Sequence, residues 1–201
     1  MNDTNDTGDA YNTIAAPAEG VYRDRGSKFL AYAFPVQSEQ EAREHVATIR
    51  REHYSARHHC YAYRTGKEGA TFRANDDGEP SGTAGKPILG QLLSANLTNV
   101  LVVVVRYFGG TLLGTSGLIA AYRSATAAAI ANAQVVQRAW EVVLTVTFPY
   151  AAMSGVMKIV KGEQLRILAQ DFGSEECSVS VSVREGKARS VQEMLAAAAT
   201  A

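Results

Sequence analysis

Residues 100–123 read VLVVVVRYFGGTLLGTSGLIAAYR. Val100 to Val105 is an unbroken aliphatic run without polar alternation, the pattern of a strand buried on both faces of a sheet. It predicts a central strand. Gly109, Gly110, Gly114 and Gly117 follow, and glycine tolerates positive φ and lets a backbone approach another group closely. From Leu118 to Ala133 the composition turns alanine-rich and helix-favouring. A strand that feeds a helix through a glycine-rich loop leaves free N–H groups at the positive end of a helix dipole, which suits an anion. Neither nucleotide fingerprint is met: Gly109 to Ser116 reads G-G-T-L-L-G-T-S, with Thr115 where a phosphate-binding loop has lysine, and G-x-G-x-x-G is absent. Two readings stay open: a tight turn with close helix–sheet packing, or an anion site built on Arg106, Tyr107, Gly109, Gly110, Gly114, Thr115 and Ser116. A turn needs the glycines but not an arginine closing an apolar strand, where an unpaired buried charge is costly. Arg106 is therefore expected either to pair with a carboxylate or to hold an anion.

Upstream, a short strand at Thr71–Ala74 closes in Asn75-Asp76-Asp77-Gly78-Glu79-Pro80, a cluster of turn formers. Asp76, Asp77 and Glu79 are candidates to hold Mg²⁺ together with a substrate phosphate, although their spacing does not fit a calcium loop. Ser81, Thr83 and Lys86 then precede an apolar helix, Ile88 to Leu97, and offer a second loop-to-helix anion site. Acidic turn residues and helix caps account for the same loop without any ligand.

Before that loop, residues 57–64 read RHHCYAYR, an aromatic-rich strand. By period two, His58, Cys60, Ala62 and Arg64 share one face and Arg57, His59, Tyr61 and Tyr63 the other. His58 with Cys60 is the minimum for a metal pair or a Cys–His nucleophile. Zinc needs two more ligands and catalysis needs an orienting third group, and neither has recognisable spacing here, so no metal, cofactor or catalytic residue is assigned. The opposite face offers rings beside an arginine for stacking bases, with Arg57, His59, Tyr61, Tyr63 and the later Arg123 as candidate nucleic-acid contacts. Half-exposed tyrosines on an ordinary sheet are the plainer reading of that face.

The remaining chain frames these elements. The 201 residues suffice for two domains, and their zero net charge argues neither for nor against a polyanionic partner. No run of about 18 apolar residues and no basic–apolar leader is present, so the expected location is the cytoplasm, with no membrane contact. The two cysteines, Cys60 and Cys177, are expected to be free thiols. Residues 1–16 are Asp-, Asn- and Thr-rich and read as a mobile tail. Lys28 to Val36 alternates as a strand, and Ser38 with Glu41 forms a capping box that opens a helix to about His53. The expected domains are 17–136 and 137–201. In the second, strands at Val142–Phe148, Leu165–Asp171 and Cys177–Arg184 and helices at Tyr150–Lys161 and Lys187–Ala199 make a β-α-β-β-α order. That is a ferredoxin-like split unit without its closing strand. The fold class is α+β; the open edge is either exposed or filled by another chain, and the oligomeric state is left unassigned.

Several segments together resemble the IMPACT family in its bacterial, YigZ-type form. They are Ser27-Lys28-Phe29, residues 58–63 (HHCYAY), residues 76–89 (DDGEPSGTAGKPIL), residues 106–110 (RYFGG) and Leu113-Gly114. The match is close over about residues 20–130 and looser beyond. It implies a first domain similar to domain IV of elongation factor G and a ferredoxin-like second domain similar to that factor's domains III and V. It also links the chain to eukaryotic relatives associated with control of translation under amino-acid stress, a role tied there largely to an extra N-terminal domain that this sequence does not include. The sequence departs from the family where Leu112 and Ala120 replace cations often found there, and where Arg57 and Ser116 replace threonine and glycine. The leading expectation is a non-catalytic cytoplasmic protein that binds RNA or the ribosome in translation control. The alternatives are an enzyme or binder of a small phosphorylated ligand using the two loop-to-helix sites, and a protein-interaction scaffold.

Overall fold

The computed structural model describes residues 8–173 and 176–200. The chain divides into two compact units, one spanning Tyr11–Arg138 and the other comprising residues from Ala139 onward with the segment before Tyr11.

The first unit contains β1 (Ala10–Ile14), β2 (Ala18–Asp24), β3 (Ser27–Pro35), α1 (Glu39–Glu52), β4 (His58–Thr65), β5 (Thr71–Asn75), α2 (Gly85–Ser94), β6 (Val100–Tyr107), α3 (Gly114–Asn132) and β7 (Val135–Ala139). A five-stranded sheet runs β2-β3-β6-β4-β5 with every neighbouring pair antiparallel, so β6 is its centre. The uninterrupted apolar run of β6 follows from this position. Val100, Val102 and Val104 enter a core with α2 and α3, whereas Leu101, Val103 and Val105 enter a second core with α1 on the opposite face. Burial on both faces leaves no room for polar alternation. At α1 the Ser38 cap forms as the sequence predicts, while Glu41 reaches one residue beyond the cap. Ser38 Oγ accepts from the Glu41 amide at 3.2 Å, and the Glu41 carboxylate reaches back to the Gln37 amide at 2.7 Å.

The tail expected over residues 1–16 is a strand in part. β1 pairs with β7 in a separate two-stranded ribbon, and Ile14 is fully buried. Residues 1–7 of that expectation lie outside the described residues. Thr13, Ile14 and the later Gly20 supply the burial that a polar composition hides: Thr13 hydroxyl donates to the Asn99 carbonyl at 3.2 Å, and Gly20 lies directly against the α3 backbone.

The second unit contains β8 (Glu141–Phe148), α4 (Met153–Gly162), β9 (Arg166–Phe172), β10 (Cys177–Arg184) and α5 (Ala188–Ala199). β10 lies between β8 and β9 and is antiparallel to both, a split β-α-β arrangement. Cys177, Val179, Val181 and Val183 point into a core with α4 and α5, as their period of two requires. No helix of the described residues is long and apolar enough to cross a membrane.

Candidate anion-binding groove at the start of α3

β6 ends at Tyr107, and the chain crosses Phe108–Leu113 before α3 begins. This crossing is shaped by one close approach: Gly109 lies against the backbone of Gly26 and Ser27, and its amide donates to Ser27 Oγ at 3.2 Å. A side chain at Gly109 would overlap that backbone. The loop is thus pinned to the β2–β3 turn, and its exposed Phe108 and Leu112 stand over a groove of about 810 Å³. The groove is bordered by Ser55, Ala56, Arg57 and His58 before and in β4, by Glu79 and Pro80, by Arg106, Tyr107 and Phe108, and by Leu112, Leu113, Gly114, Thr115 and Leu118.

Two features make it suited to an anion. First, α3 starts without a side-chain cap: Leu113 occupies the cap position, and the first turn, Gly114-Thr115-Ser116-Gly117, carries no acidic residue. Its leading amides therefore face the groove without a capping acceptor, at the positive end of a 19-residue helix. Second, Arg106 is buried, with 6% of its surface exposed. Its Nη1 donates to Glu79 Oε1 at 2.7 Å, and its guanidinium lies 5.6 Å from the centres of both the Phe29 and Phe108 rings. Its Nε has no hydrogen-bond acceptor among the described residues. Arg57, exposed at the rim, adds a donor, whereas the His58 Nδ1–H is already given to the Asp77 carbonyl at 2.9 Å.

Glu79 is also held from below. The Tyr122 hydroxyl donates to the same Oε1 at 2.7 Å, and Cys60 Sγ lies 3.3 Å from that hydroxyl while donating to the Asp76 carbonyl at 2.9 Å. Burial pushes the Tyr122 hydroxyl far above its ordinary range, reinforced by Cys60 and Glu79, so it remains a neutral donor. Burial also drives the Cys60 thiol far up, against the effect of its contact with the Tyr122 hydroxyl and with the help of the Glu79, Asp77 and Asp76 carboxylates. A thiol so held is not a nucleophile, which removes the Cys–His reading. Tyr122 belongs to this network without having been legible in the sequence, where it stands among alanines as one more core aromatic.

The three carboxylates of the acidic loop do not converge. Asp77 and Gly78 are the centre of a β-turn, with φ of 43° and 86°, closed by the Glu79 amide donating to the Asp76 carbonyl at 2.9 Å. The turn sends the three carboxylates to different partners. Glu79 goes to Arg106; Asp77 accepts from Arg50 and from the His59 amide; Asp76 accepts from the amides of Gly82, Ala84 and Gly85 at 2.8, 3.0 and 2.8 Å. Among the described residues no group of three or more His, Cys, Asp or Glu is placed to hold a metal ion.

Asp76 also corrects the second expected anion site. Its carboxylate already fills the N-terminus of α2, so the chain supplies its own anion there. Burial raises the Asp76 pKa, but the three backbone donors and Lys86 outweigh it and hold the carboxyl below its usual range. Thr83 is buried with its hydroxyl donating to the Pro80 carbonyl at 2.6 Å, and Ser81 is exposed. Lys86 instead borders a separate groove of about 510 Å³ between α2 and α3, with Gly82, Gln91, Ser94, Ile119 and Arg123.

The stacking surface expected on β4 is covered. Tyr63 and His59 are buried and Tyr61 is half-buried, all beneath α1, with His59 Nε2 3.1 Å from the His53 carbonyl. Alternation correctly divided the strand's faces but could not reveal that a helix lies over both. Of the candidate nucleic-acid residues, only Arg57 and Arg123 remain exposed. Tyr107 turns its hydroxyl to His53 Nδ1 at 2.9 Å while bordering the first groove, and Gly110 and Ser116 are exposed.

Known proteins share this framework. Residues 25–130 match the Impact N-terminal domain. The chain is 32% identical to an IMPACT family member of Bacillus subtilis (strain 168), YvyE, over 92% of this chain and 85% of that protein. It is 43% identical to the IMPACT family member YigZ of Escherichia coli (strain K12), over 54% of each. A crystal structure of a hypothetical protein superimposes with a TM-score of 0.74 at 30% identity, covering 94% of this chain and 92% of that one.

Proposed function

Because the chain belongs to the IMPACT family, we propose that it is a non-catalytic cytoplasmic protein that binds RNA, free or within the ribosome, in the regulation of translation. The observation that carries this reading is the convergence of the uncapped N-terminus of α3 and the exposed guanidinium of Arg57 on one groove, whose wall holds the Arg106–Glu79 pair. Backbone amides at a helix start and a guanidinium are the donors that hold phosphate oxygens. The remaining wall is apolar, with Phe108 and Leu112 exposed at its edge, as a surface for a base requires.

The family resemblance supports the same reading, with the first unit similar to domain IV of elongation factor G and the second ferredoxin-like, its split strand order lacking a closing strand. Sites grafted on a fold, not the fold itself, decide activity, so the groove is what the test must address. A single-stranded RNA titration and ribosome co-sedimentation at low salt, repeated as salt is raised, should give binding that weakens steeply because phosphate contacts release counterions. No binding to either sinks the proposal. The concave shape of the groove favours a second reading, a small phosphorylated ligand, for which a thermal-shift screen of nucleotides and sugar phosphates should then show stabilisation.

A further inference from the structure

The groove at the start of α3 has a neighbour. Along α3, Thr115 and Leu118 border the first groove while Ile119 and Arg123 border the second, and on the facing loop Glu79 and Pro80 border the first while Gly82 borders the second. The two therefore lie side by side on successive turns of one helix, separated by the Pro80–Gly82 segment. Thr115 to Arg123 spans about 12 Å along the helix axis, a distance of a few nucleotides.

The second groove is cationic through two exposed side chains, of which Lys86 also favours the Asp76 carboxylate. Lys86 stands in the first turn of α2, at the positive end of the helix, where a cation is disfavoured. Among the described residues neither Lys86 nor Arg123 makes a salt bridge, and both side chains are exposed. Asp76 accepts from the Ala84 and Gly85 amides at the start of α2, so this groove offers chiefly side-chain charge, whereas the first offers the uncapped amides of α3 and an apolar wall. The contrast suits two consecutive parts of one ligand.

We infer that the two grooves bind one single-stranded RNA that crosses the Pro80–Gly82 segment between them, with one nucleotide seated at the start of α3 and the following phosphates neutralised by Lys86 and Arg123. The inference rests on the reading of the first groove as an RNA site. It makes the chain a length-sensing binder: a single nucleotide reaches only the first groove, and a longer strand engages both.

The test is fluorescence anisotropy of end-labelled oligouridylates from one to roughly eight nucleotides at low salt, on the full chain and on the double variant Lys86→Ala/Arg123→Ala. For the unaltered protein, affinity should climb with length and then level off. The double variant should bind the longest oligonucleotide about tenfold more weakly, and its log–log salt slope should fall by about 1.4, from about 0.7 per lost phosphate contact. An unchanged melting temperature would show that the variant is folded, as two exposed side chains lead one to expect. Unchanged affinity and slope in the double variant overturn the two-groove binding while leaving an RNA site at α3. Failure of the unaltered protein to bind any of the oligonucleotides overturns both.

Discussion

Arg106, at the end of β6, donates to Glu79 across the groove at 2.7 Å, and both side chains are more than nine-tenths buried. The pair answers why an arginine closes an otherwise aliphatic strand. It locks the acidic turn to the centre of the sheet, and through Tyr122 it ties the same turn to α3.

Removing one partner of a buried pair leaves the other uncompensated. Arg106→Ala should destabilise the first unit by about 3–5 kcal/mol, read from urea denaturation. A variant as stable as the original protein would mean that water, not Glu79, satisfies the guanidinium. Because this substitution reports on the fold, the binding role of the groove is better tested at Arg57, whose exposed side chain contributes little to packing.

Asp76 accepts three amides, from Gly82 in the loop and from Ala84 and Gly85 at the start of α2, and its loss strands all three. A single lost cap costs about 0.5–2 kcal/mol, so Asp76→Ala should lie at or above the top of that range in equilibrium unfolding. The sign of its pH dependence follows from its depressed pKa: the carboxylate stabilises the fold above its ordinary pKa of 3.8, and that contribution is lost as pH falls through the lower folded value. The urea midpoint of the original protein should therefore drop on acidification below about pH 4, and Asp76→Asn should remove part of that drop. Equal acid sensitivity in both would assign the drop to other carboxylates.

Cys60 and Cys177 are buried and free. Burial keeps the Cys60 thiol protonated, so alkylation in the folded protein should proceed only as fast as the chain opens, and denaturant should accelerate it by orders of magnitude. Rapid labelling of Cys60 at neutral pH without denaturant would contradict the packing around Tyr122.

The glycine loop separates space from conformation. A Cβ at Gly109 would overlap the backbone of Gly26 and Ser27, so Gly109→Ala should unfold or strongly destabilise the unit. Gly110 has open space but a φ of 88°, so Gly110→Ala should cost only about 1–2 kcal/mol of backbone strain. Similar melting temperatures for the two variants would show that the loop is not pinned to the β2–β3 turn.

Much of this framework is legible in local chemistry. The aliphatic run of β6, the Ser38 cap of α1 and the Val179–Val181–Val183 alternation each depend on near neighbours or on burial of a whole element, and each is realised. What escaped depended on which layer covers a face and on which way a side chain leaves a turn. Tyr61 and Tyr63 read as an open ring surface because period two does not reveal α1 above them. Asp76, Asp77 and Glu79 read as a cluster because adjacency along the chain hides the two positive-φ residues that splay them. β1 was hidden by polar composition, since Thr13 and Asn12 gain their partners from Asn99 and Thr98, far along the chain.

The central claim is that the start of α3 receives an anionic group of RNA, and backbone amide NMR of the protein titrated with a short oligouridylate tests it most directly. The amides of Gly114, Thr115 and Ser116 should show the largest shifts, with Arg57 and Phe108 close behind, and added salt should reverse them. Binding that shifts other surfaces while these amides stay in place, or no shift at any RNA concentration, would contradict the account.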